Sequence, residues 1–173
     1  MLSSNTNSGL NIIPKGFSLI EVLVALLVLS IGLLGLAALQ TTSLKYNTDS
    51  YTRTQATLLA YDIIDRMRSN LKGVDAGNYN VTSSTAATKI SSYNSCKGSA
   101  TGCGCDLSGA NCSASNLALF DIGEWYEGLA ATLPEASTYP ATISATSRTV
   151  TVTIQWKDRE MPTPIQQTWT VDL

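Results

Sequence analysis

Residues 17 to 39 read FSLIEVLVALLVLSIGLLGLAAL, an apolar run broken by one charge, Glu21. As a helix the run spans roughly 35 Å at ~1.5 Å per residue, enough to cross a hydrocarbon core of ~30 Å. Gln40 to Thr54 turns polar and rich in threonine, a weak helix former. From there Ala56, Leu59, Ala60, Ile63, Ile64, Met67 and Leu71 recur at three- and four-residue steps and mark one apolar stripe. Asp62 precedes Arg66 by one turn, the favourable order for a surface pair. Gly73 after Lys72 is a stop signal. The pattern predicts one long helix over 17–72: a membrane-spanning part over 17–39, then an amphipathic continuation over 40–73 packed under a globular head over 74–173.

The head divides by pattern. Residues 74–116 are dominated by Ser, Thr, Asn, Gly and Ala and read as a loop-like insert. Residues 117–134 predict a short helix, with Leu117, Phe120 or Asp121, Trp125, Leu129 and Leu133 on one face. Asn116 or Ser115 is its expected cap, and Pro134 its end. Over 138–173 the period changes to two. Val150, Val152, Ile154 and Trp156 alternate with polar residues, as do Gln167, Trp169, Val171 and Leu173. Tyr139 to Thr146 supplies a third strand, and the prolines between Asp158 and Pro164 mark a connecting loop. The expected fold class is α+β: a long N-terminal helix packed against a C-terminal antiparallel sheet.

Composition narrows the chemistry. Only 14% of the 173 residues are charged and the net charge is −2, so no nucleic-acid footprint exists. There is no histidine, which removes the commonest general base and metal ligand. Asp121, Glu124 and Glu127 invite an acid/base reading, but with no nucleophile motif beside them a solvated face, with a cap-like role for Asp121, is the better account. No catalytic site, cofactor or metal is expected. The four cysteines Cys96, Cys103, Cys105 and Cys112 follow the spacing C-x6-C-x-C-x6-C, which lacks the C-x2–4-C pairs of a zinc site. Disulfides are expected. Three connectivities are open, of which a direct Cys103–Cys105 bond closes the tightest ring.

Disulfides belong in an oxidising compartment such as the bacterial periplasm. All four cysteines follow the apolar run, so the head lies outside and the N-terminus in the cytoplasm. Charge alone does not decide this, because Lys15 before the run is balanced by Lys45 and Arg53 after it.

A carboxylate inside a membrane helix is costly and calls for a partner. An ordinary signal peptide cleaved near Gly35-Leu36-Ala37 is one reading, but its apolar part is normally ~7–15 residues. A plain anchor with Glu21 at its shallow edge is another. The third reading rests on Lys15-Gly16-Phe17-Ser18-Leu19-Ile20-Glu21. This string resembles the type IV prepilin signature: a basic residue, a cleavage-site glycine, phenylalanine, and glutamate at the fifth mature position. The resemblance implies a leader over 1–16, cleavage by prepilin peptidase between Gly16 and Phe17, and methylation of the new Phe17 amine. It also implies that 17–39 packs in a fibre core. A neighbouring subunit's amine would there neutralise Glu21 and set axial register, the best-attested use of a buried ion pair. Gly32 and Gly35 would let helices approach closely. The proline that kinks this helix in many major pilins is missing between Pro14 and Pro134.

Two further strings narrow the resemblance. Asp62-Ile63-Ile64-Asp65-Arg66-Met67-Arg68-Ser69-Asn70 resembles the "DRMRxN" end of the long helix in minor pilins of the PilV type, the type IV pilus modification proteins. Asp121, Trp125, Leu129 and Leu133-Pro134 follow the D-x3-W-x3-L-x3-L-P pattern of the same group. The chain departs from it in its 16-residue leader and in Leu133-Pro134-Glu135-Ala136, where relatives often have glycine after the proline. The resemblance implies a minor pilin whose partners are other minor pilins, the major pilin, prepilin peptidase and a large tip adhesin. It would prime pilus assembly and so serve twitching motility and adhesion, first in the inner membrane with its head in the periplasm, then in the surface fibre. The nearest alternative is a minor pseudopilin of a type II secretion system. A periplasmic domain on an ordinary signal is the alternative of a different class.

Overall fold

The computed structural model describes residues 16–99, 102–109, 112–158 and 162–173. The chain divides into two units, Met1–Asn47 and Thr48–Leu173. Helix α1 (Leu19–Ser69) runs through both.

In the first unit every residue described is exposed. Leu, Val and Ile surround the helix on all sides, so no stripe is singled out for a core. A helix that is apolar all round belongs in lipid or among other helices. Gly32 and Gly35 lie within α1 without interrupting it.

The second unit holds one core. Ala56, Ala60, Ile63, Ile64 and Met67 of α1 are completely buried in it, the stripe expected from the periodicity. The helix ends sooner than expected. At Asn70 the backbone leaves helical angles, and the side chain caps a separate helix α2 (Leu71–Asp75), accepting from Gly73 N. Gly73 is therefore no stop signal. A Cβ there would lie 2.6 Å from the Asn70 amide nitrogen, so the Asn70 turn itself demands the glycine.

The supposed loop insert contains helix α3 (Ala86–Cys96). A turn of threonine hydroxyls, with Thr82 N donating to Thr85 Oγ1, precedes it. Helix α4 (Ala114–Thr132) is capped by Ser113, whose hydroxyl accepts from Asn116 N, and not by Asn116 or Ser115. Trp125 on α4 is buried, and its indole N–H donates to Leu59 O of α1 at 2.9 Å. The adjacent Tyr126 hydroxyl donates to Ala141 O just before the sheet. Helix α4 is thus tied to both α1 and the sheet by consecutive residues.

Strands β1 (Thr142–Thr146), β2 (Thr149–Trp156) and β3 (Ile165–Asp172) form an antiparallel sheet in the order β1-β2-β3. Val150, Val152, Ile154 and Trp156 are fully buried on one face of β2. Threonine pairs such as Thr151–Thr170 and Thr153–Thr168 face outward. The β1 edge is closed by two hydrogen bonds between Ile143 and Val81, and by Ala145 N donating to Asn80 Oδ1.

After Pro134 the chain turns through Glu135, which adopts a left-handed φ of 54°. This is the position where the PilV-type pattern often has glycine. A side chain there costs about 1–2 kcal/mol, offset in part by the extra unfolded-state entropy of glycine. Glu135→Gly is expected to raise stability by about 0.5–1 kcal/mol, read as a higher urea midpoint at unchanged m-value.

Candidate functional site

Gly16, Phe17 and Ser18 lead directly into α1, and Glu21 lies in its first turn. The carbonyl of Ser18 accepts from both Glu21 N and Val22 N, which starts the helix. A carboxylate in a first turn faces the positive end of the helix dipole. One turn separates Phe17 from Glu21, and both border a shallow recess with Val22, Ala25 and Leu29. Phe17 is 85% exposed. Lys15 and the residues before it lie outside the described residues.

A Cβ on Gly73 or Gly123 would collide with this chain's own side chains, whereas one on Gly16, Gly32 or Gly35 would meet nothing within 4 Å. Glycine at these last three positions answers no need of the isolated fold.

The four cysteines pair as Cys96–Cys103 and Cys105–Cys112, with Cα–Cα distances of 5.2 and 5.8 Å. Each bond closes a small loop, and the tight Cys103–Cys105 ring does not form. Cys103 is buried under α3, its sulfur 3.7 Å from Tyr93 O. The first disulfide therefore holds the end of α3 to the following loop. Lys97 then reaches Glu127 of α4 at 2.5 Å.

The acidic residues of α4 have structural partners. Asp121 is neither a cap nor solvated: it lies within α4 and is only 5% exposed. It accepts a 2.5 Å hydrogen bond from the Tyr79 hydroxyl and lies 3.5 Å from Arg66 Nη1. Arg66 also holds Asp62, and Asn70 Nδ2 donates to Tyr79 and to Ala114 O. Glu124 accepts from the Tyr93 hydroxyl. Arg66 and Asn70 come from the first PilV-like string, and Asp121 and Trp125 from the second. The two strings meet in one joint between α1 and α4, bridged by Tyr79. The sequence pattern does not reveal Tyr79 or Tyr93, because each acts through a contact distant in the chain.

Burial pushes the Asp121 carboxyl above its ordinary range, outweighing the lowering by Tyr79 and Arg66. Burial and Asp121 together push the Tyr79 hydroxyl up, keeping it a neutral donor. The native state thus holds the Asp121 proton to higher pH than the unfolded chain does. Its contribution is complete below the ordinary aspartate range and is lost as pH rises through the raised folded value. Asp121→Asn retains an acceptor for Tyr79 without the charge. Denaturant unfolding should therefore show wild type losing stability relative to Asp121→Asn as pH rises from about 4 towards neutrality.

No group of His, Cys, Asp and Glu suited to a metal occurs among the described residues. The described residues thus combine a helical segment long and apolar enough to cross a membrane, with one carboxylate in its first turn, and a disulfide-bonded α+β unit. The family model described as "Prokaryotic N-terminal methylation motif" matches residues 14–37, and the one described as "Type IV pilin Tt1218" matches residues 38–123. The two matches adjoin, and the chain belongs to the type IV pilins. It is a structural protein and not an enzyme, anchored in the inner membrane by its apolar helix before assembly into the surface pilus. Processing by prepilin peptidase and assembly with other pilins follow from the same membership. No curated protein and no solved structure matches the chain.

Proposed function

We propose that this pilin is a minor pilin of the PilV type. It acts in the complex that initiates pilus assembly, stays near the tip with a large adhesin, and so supports twitching motility and attachment. The observation that carries the reading is the contiguous Lys15-Gly16-Phe17 and Glu21 signature within the matched methylation motif. Residues 1–16 are the leader, Phe17 carries the methylated amine, and Glu21 takes up a neighbour's amine in the fibre. The PilV assignment is supported by Arg66, Asn70, Asp121 and Trp125, the marked residues of both strings, which hold α1 and α4 together.

Glycine at position 16, undemanded by the chain's own packing, fits recognition by the peptidase. Gly16→Leu is expected to leave an uncut precursor in the membrane, heavier than wild type by the leader and lighter by one methyl group. Intact-mass measurement checks this. A wild-type chain beginning near Ala38 would sink the pilin signal. Deletion should abolish or sharply reduce surface pili, and the protein should co-purify with other minor pilins. Co-purification with secretion components alone would favour the pseudopilin alternative.

A further inference from the structure

The two edges of the sheet are treated differently. The β1 edge is occupied by Val81 and Asn80, whereas the β3 edge pairs with nothing among the described residues. Natural edges are blunted by lysine, proline, bulges or a covering element. Strand β3 has none of these sequence devices. It pairs with β2 in unbroken register from Ile165 to Asp172, and Asp172 is its sole charge.

The direction of its backbone groups follows from the ladder. Leu173 N donates to Arg148 O, so position 173 turns toward β2. Antiparallel pairs alternate, so 171, 169, 167 and 165 also turn toward β2. The N–H and C=O groups of Gln166, Thr168, Thr170 and Asp172 therefore point off the free edge. On the core side, Trp169 and Val171 are only half-buried, while the facing Val150 and Val152 of β2 are fully buried. Gln167 in the same row holds a buried Oε1 without a hydrogen-bond partner.

We infer that the β3 edge takes up an extended segment of a neighbouring pilin subunit as a fourth strand. Only a strand supplies N–H and C=O groups at the spacing of the open edge. Apolar side chains at every second residue of that segment would cover Trp169 and Val171, and a polar one could meet Gln167. The low charge of β3 places no repulsion in its path. This inference rests on the proposed incorporation into fibres.

Proline at Thr168 or Thr170 deletes one outward N–H and leaves the β2–β3 ladder whole, whereas alanine keeps the N–H and removes only the hydroxyl. With the full-length chain, each proline variant is expected to lower the amount in sheared fibre fractions about fivefold, the effect of one lost hydrogen bond. The alanine variants should stay near wild type. Single-residue amide exchange gives a second measurement on unmutated protein. Gln166, Thr168, Thr170 and Asp172 should exchange fast in detergent and slowly in fibres. Equally fast exchange in both states, with the chain present in fibres, overturns the inference alone. Absence of the chain from fibres overturns the assembly reading and the inference with it. Edge cross-links found solely between two copies of β3 also overturn it, since helical fibres use unlike contact surfaces.

Discussion

Glu21→Ala is expected to leave cleavage after Gly16 largely intact and to lower incorporation into fibres by at least about tenfold, because breaking a buried ion pair strands the remaining charge. Glu21 stands in the first turn of a segment that is otherwise uncharged, mostly apolar and, in the isolated chain, exposed. Once packed among other helices it needs a cation. With the proposed cut after Gly16, the new Phe17 amine would be the basic group nearest this end of the chain, the next in sequence being Lys45. Glu21→Gln keeps hydrogen bonding without charge and so separates charge neutralisation from hydrogen bonding. If charge neutralisation sets register, Gln should fail nearly as badly as Ala. Processing is read by intact mass and incorporation from sheared fibres. Wild-type levels of the Ala variant in fibres would refute the registry role.

Gly123→Ala is expected to destabilise the head by about 2–4 kcal/mol, although alanine favours helices over glycine by about 1 kcal/mol. Gly123 lies within α4, and a Cβ there would stand 2.0 Å from Tyr93 Cγ. The atom struck belongs to the ring itself and not to a flexible tip, so the whole side chain must leave. With it go an edge-on contact with Phe120 and the hydrogen bond to Glu124. Tyr93→Ala should remove most of the penalty of Gly123→Ala. In a double-mutant cycle by denaturant unfolding, the two changes should therefore be strongly non-additive. Additive effects would mean that Gly123 matters for some other reason.

Much of the architecture was legible because periodicity is local. The Ala56 to Met67 stripe and the alternation in β2 report burial directly, and both proved to face one core. Helix α3 is not legible in the sequence, because its apolar residues Ala86, Ile90 and Tyr93 are diluted by serine, threonine and lysine. Their spacing of four and three was the one available signal. Its stability comes from contacts that no window contains: Tyr93 against Gly123 and Lys97 against Glu127. The break at Asn70 was hidden for the same reason, since Asn70 is held by Tyr79 and by Ala114 from far along the chain. The sequence makes Asp121 look solvated because α4 carries Asp121, Glu124 and Glu127, and only packing reveals which of them is covered.

The sequence by itself determined the anchor, the Gly16-Phe17 signature, the odd carboxylate at Glu21 and the α+β order of elements. These are written in contiguous residues, where hydrophobic length and chemical type suffice. The tertiary structure alone decided the disulfide partners, the joint of Arg66, Asn70, Tyr79 and Asp121, and the difference between a closed β1 edge and a β3 edge left open among the described residues. Each depends on which distant segments meet, and burial then turns an ordinary aspartate or tyrosine into a structural contact.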